Sequence, residues 1–135
     1  MKILFKIATA ATLLTAATMA HAGCMRCDPI LNISNAPVTS ASGKPLTNDQ
    51  VRGAIIRAGA TLGWQMKESG PGKLAATLLV RKHTAEVEIT YSPASYDINY
   101  KTSTNLDAGD GQIHKNYNGW IQNLNKGIAV QLSAS

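Results

Sequence analysis

Residues 73–101 read KLAATLLVRKHTAEVEITYSPASYDINYK, and apolar and polar side chains alternate along the stretch. Leu74, Ala76, Leu78 and Val80 share one side of an extended chain, then Ala85, Val87, Ile89 and Tyr91, then Tyr96, Ile98 and Tyr100, because successive strand side chains point to opposite faces. The connections Arg81-Lys82-His83-Thr84 and Ser92-Pro93-Ala94-Ser95 are short enough for hairpins. Pro93 has no N–H to give to a central ladder. The stretch therefore predicts an antiparallel meander with one apolar face, and that face needs a cover.

Helices on either side of the meander can supply it. Thr47 is placed to cap a first helix, with Gln50 three residues on to complete a capping box. Val51, Ala54, Ile55, Ala58 and Leu62 form its apolar stripe, and Gly63 suits a left-handed end. Trp64 and Met66 alternate with Gln65 and Lys67 before the turn Ser69-Gly70-Pro71-Gly72, which adds a fourth strand. Beyond a polar loop over 103–111, with Asp110 placed as a cap, Ile113, Tyr117, Trp120, Ile121, Leu124, Ile128 and Leu132 recur at helical spacing. The expected fold is α+β: a two-layer sandwich in which a four-stranded antiparallel sheet carries two helices packed on one face. One helix on each face would instead require Thr77, Leu79, Glu86, Glu88, Asn99 and Lys101 to be buried. Trp120 is expected in the core.

The 135 residues suit one core. Residues 1–22 read as an export signal: Lys2 and Lys6 at the start, an apolar run from Ile7 to Met19, and Ala20-His21-Ala22 as the cleavage site. Residues 23–46 form an extended N-terminal segment, whose 29–38 stretch alternates only weakly, and 47–133 the single domain. Without the signal the chain keeps 11 basic against 8 acidic residues, a net of +3, well mixed along the sequence. Scattered charge of that size in an exported protein argues against nucleic acid. It leaves room for weak peripheral attraction to anionic headgroups or acidic wall polymers.

Both cysteines fall directly behind the signal in Gly23-Cys24-Met25-Arg26-Cys27. Ala22-Gly23-Cys24 matches the end of a bacterial lipobox, which would acylate Cys24, although His21 stands where Leu is usual. Alternatively, Cys24 and Cys27 pair in an oxidising compartment. A catalytic redox motif of this spacing needs a helix to follow it, and Asp28-Pro29 follows instead. A metal site would have to bring both thiols to His83 and His114.

Arg81-x-His83-x-Ala85-x-Val87-x-Ile89-x-Tyr91, then Tyr96-x-Ile98-x-Tyr100 and Ile113-His114-x-x-Tyr117-Asn118-x-Trp120, resembles a group of small proteobacterial envelope proteins, some of them described as lipoproteins. The resemblance spans roughly Asn48 to Leu132. It implies export and a lipid anchor, and no activity. Arg81, Lys82 and His83 at the first hairpin, with His114 and Tyr117 on the second helix, are the candidate binding residues; each also fits an ordinary structural role. No catalytic, cofactor or metal motif stands out. The expected function is a non-catalytic cell-envelope module that binds a protein, lipid or wall-polymer partner. The expected location is the periplasm, with lipid anchoring to the outer membrane as a variant. A small periplasmic hydrolase or a CxxC thiol redox protein is the alternative.

Overall fold

The computed structural model describes residues 24–135; the expected export signal lies outside the described residues. In chain order the elements are β1 (Cys27–Pro29), β2 (Ile33–Pro37), α1 (Asn48–Thr61), β3 (Gln65–Gly70), β4 (Lys73–Val80), β5 (His83–Tyr91), β6 (Ser95–Thr104), β7 (Gln112–His114) and α2 (Lys115–Ser133). The fold is α+β, with an antiparallel sheet of five strands in the order β2-β6-β5-β4-β3 and a two-stranded sheet of β1 and β7.

The expected four strands are present as β3 to β6, and a fifth corrects the count. The weakly alternating stretch contributes β2, which pairs with the free side of β6: Ile33 lies opposite Ile98 and Ala36 opposite Tyr96. A bulge at Asn35 interrupts the ladder, with φ 53°, so the strand loses the regular alternation that sequence reading depends on. The Asn35 N–H is taken up by the Asp97 carboxylate. Farther upstream, β1 pairs with β7, Cys27 opposite His114.

One core holds the alternating set of the meander together with the stripes of both helices. Leu74, Ala76, Val87, Ile89 and Ile98 meet Val51, Ile55, Ile121, Leu124 and Ile128 there. α1 lies over the β3 side, where Gly59 abuts the Met66 side chain, and Arg52 reaches Glu68 at 2.8 Å. α2 reaches β6, where the Tyr96 hydroxyl donates to Asn125 Oδ1. The other sheet face is not buried: Leu79 is 65% exposed, Asn99 and Lys101 are exposed, and Thr77, Glu86 and Glu88 are half-buried. Among the described residues no helix covers that face.

The ends of α1 follow the sequence. Thr47 and Gln50 form the reciprocal capping box, and Gly63, with φ 87°, follows the Leu62 cap in the left-handed region. The start of α2 does not. His114 is its cap, with Nδ1 accepting from Asn116 N, whereas Asp110 lies in the preceding turn and Ile113 in β7. A histidine in place of the usual Ser, Thr, Asp or Asn carries little capping signal in sequence.

Candidate functional site

The five binding candidates have different fates. Arg81 and Lys82 are the exposed tip of the β4–β5 hairpin, since Val80 already pairs with His83. His83 Nδ1 is 2.7 Å from the Asn105 carbonyl, and Asn105 Nδ2 donates to the Lys82 carbonyl at 2.7 Å. The carbonyl can only accept, so Nδ1 carries the proton in neutral His83. His114 is the opposite tautomer, because its Nδ1 accepts from a backbone N–H. Tyr117 is corrected outright: it is fully buried, edge-on to Tyr100 with ring centroids 5.6 Å apart, and offers nothing to a ligand outside. Its hydroxyl has no hydrogen-bond partner among the described residues. Burial, with Tyr100 beside it, pushes the Tyr117 phenol well above its usual range, and burial pushes Tyr96 up as well.

Three consecutive residues after β6 gather the remaining candidates. The Asn105 carbonyl takes His83, and the Leu106 carbonyl takes the backbone N–H of His114 at 2.8 Å. The Asp107 carbonyl lies 3.9 Å from Cys27 Sγ, a contact rather than a hydrogen bond because that sulfur carries no hydrogen. Cys24 and Cys27 are joined as a disulfide. With both sulfurs bonded to each other, Cys24 and Cys27 present no thiolate to a metal, and no group of three or more metal-ligating side chains occurs among the described residues.

The disulfide segment is tied to α2 at two places. Lys115 N donates to the Arg26 carbonyl at 2.8 Å. One turn on, Asn118 clamps the end of β1 and the chain after it: its Nδ2 donates to the Pro29 carbonyl and its Oδ1 accepts from Leu31 N, both at 2.9 Å. This brings Asp28 beside the first turns of α2 and closes one side of an open cleft of about 500 Å³. Its walls include Asp28, Lys115, Asn116, Gly119, Trp120 and Asn123. Trp120 is thus corrected from core residue to core margin, partly buried against the core and partly facing the cleft. Trp64, 4% exposed, is the tryptophan that fills the interior.

Residues 116, 120 and 123 follow at steps of four and three, and Gly119 lies three after 116 and four before 123, so the four form one patch on the helix surface. The patch was hidden behind the apolar stripe of α2, yet the sequence carried a sign of it. Asn116, Asn118, Asn123, Asn125, Gly119 and Gly127 all sit in one 19-residue helix, although Asn and Gly are poor helix formers. Asn118 and Asn125 repay this with bonds to the chain beyond β1 and to Tyr96, and Gly127 lets Leu62 and Ala58 approach. Asn116, Gly119 and Asn123 line the cleft, as Asn118 does too.

A second groove, of about 300 Å³, runs between α1 and α2 past Leu62, Gly127 and Val130 and is mainly apolar. No helix among the described residues is long and apolar enough to cross a membrane. No protein-family model, no curated protein and no solved structure matches this chain.

Proposed function

We propose that the protein is a non-catalytic binding module of the bacterial cell envelope, exported to the periplasm, which holds a wall polymer or another envelope partner on its surface. The observation that carries this reading is the Cys24–Cys27 disulfide directly behind a stretch that reads as an export signal. Such bonds persist in oxidising compartments and are rare in reducing ones. The two-layer arrangement, with both helices on one sheet face, agrees with it, because the surface concavities are open clefts of the kind that grip part of a larger molecule. Mild positive charge adds a weak, salt-sensitive attraction to acidic envelope components.

Fractionation with intact mass tests the reading. The expected result is release with the periplasmic contents at a mass equal to residues 23–135 less two hydrogens. Retention in the cytoplasm with reduced thiols would overturn it. A mass carrying acyl chains, with the protein in the outer membrane, supports the envelope reading in its lipid-anchored form, in which Cys24 is consumed.

A second reading, as a thiol redox protein, is favoured by one observation: Cys27 sits opposite His114, the cap of α2. The positive end of a helix dipole near a thiol lowers its pKa. Failure of the reduced protein to speed dithiothreitol-driven reduction of insulin would sink this second reading.

A further inference from the structure

We propose that the cleft on the first turns of α2 is a saccharide subsite, in which Trp120 stacks on one pyranose unit of a wall polysaccharide while Asn116 and Asn123 hydrogen-bond its hydroxyl or acetamido groups. The inference rests on the envelope reading and names its ligand class.

The lining itself selects the ligand. Trp120 presents an aromatic surface whose electron-rich face attracts the C–H groups of a sugar ring. Asn116 and Asn123 lie one turn to either side of it, and their amides make no hydrogen bond within the described residues. An amide offers donors and an acceptor together, which matches hydroxyls that also do both. The one cation and one anion in the lining, Lys115 and Asp28, cancel, and α2 has no acidic residue. A cleft without net charge suits a neutral polyol better than an anionic headgroup or an acidic peptide.

Gly119 supplies an independent sign. A glycine inside an exposed helix costs about 1 kcal/mol relative to alanine, so its presence asks for a reason. At Gly127 a Cβ would make only ordinary van der Waals contact with Leu62 and Ala58. A Cβ on Gly119 would meet nothing within 4 Å. Packing therefore does not require glycine at 119, and its effect is to keep the space beside Trp120 empty. The cleft wall is also held still, because Asn118 and Lys115 bond the chain around β1 to the helix.

The test uses the mature, oxidised protein and two probes: insoluble peptidoglycan sacculi in a co-sedimentation assay, and a soluble N-acetylglucosamine tetramer titrated against tryptophan fluorescence. Wild type should bind both, with an emission change that Trp120→Phe removes. Gly119→Leu should fill the cleft and weaken binding at least tenfold, while its urea midpoint stays equal to or above that of wild type. Asn116→Ala and Asn123→Ala should each weaken binding about three- to tenfold. Sacculi bound equally by wild type and Gly119→Leu would overturn the subsite and leave the wall-binding reading standing. Binding to anionic phospholipid vesicles with none to either glycan probe would overturn the saccharide assignment, and periplasmic fractionation would still decide the envelope reading separately.

Discussion

Tyr117 shows how a side chain can be well placed for packing and badly placed for its own hydroxyl. Its ring is fully buried against Tyr100, and its oxygen meets no partner among the described residues. A buried, unsatisfied polar group costs about 1–3 kcal/mol. Tyr117→Phe should therefore raise the unfolding free energy by about 1 kcal/mol at neutral pH, read from urea denaturation; a loss of that size would mean the oxygen has a bonded partner such as a trapped water. The same residue governs alkaline behaviour. Its folded pKa is raised, so above pH 10.0, the ordinary phenol value, the unfolded chain sheds a proton that the folded chain keeps. Stability is thus complete below that pH and falls as pH rises toward the folded pKa, with Tyr96 acting in the same direction. Tyr117→Phe should lose less stability than wild type between about pH 8 and about pH 11, and parallel losses would refute the assignment. Sequence spacing placed Tyr117 on the apolar stripe correctly. It could not separate a ring facing inward from Trp120, three residues on at the margin, because helical periodicity resolves a face and not depth within it.

At the scale of elements, the joint between α1 and β3 is closely fitted at Gly59. Gly59 is buried, and a Cβ there would run into the Met66 side chain. Gly59→Ala should cost about 1–3 kcal/mol through overpacking, reduced by about 1 kcal/mol of better helix propensity. In a Met66→Ala background the clash is gone and the same substitution should be neutral or stabilising. Equal effects of Gly59→Ala in both backgrounds would show that this pair does not set the spacing. A glycine inside a helix is costly in any sequence, but its partner here, Met66, lies on another element. The elements differed in legibility for similar reasons. β4, β5 and α1 were readable because their local signals, strict alternation and a capping box, agree with their tertiary roles. β2, β7 and the start of α2 were not, because a bulge, a three-residue ladder and a histidine cap are settled by contacts far away in sequence.

For the whole molecule, the N-terminal segment belongs to the fold. Ile30, Leu31, Ile33, Ala36 and Val38 pack against the core from outside the stretch 47–133 that sequence reading assigned to the domain. At about 1 kcal/mol for each partly buried side chain, a chain beginning at residue 39 should lose roughly 5 kcal/mol, most of what a small domain has. Its thermal midpoint should collapse; a truncated protein as stable as the whole would show β2 to be decoration. The strand order carries one more consequence. β4, β5 and β6 are neighbours in sequence and in space, whereas β2 pairs with a strand some sixty residues later and β1 with one still farther on. Ribosomes make the amino end first, so β1 and β2 emerge well before the strands they pair with, and of the described strands they wait longest for a partner. Pro29, Asn32, Ser34, Asn35 and Pro37 interrupt their apolar residues throughout. That interruption blurred the strand to a reader of the sequence, and it is also what keeps a waiting strand from pairing with the wrong chain.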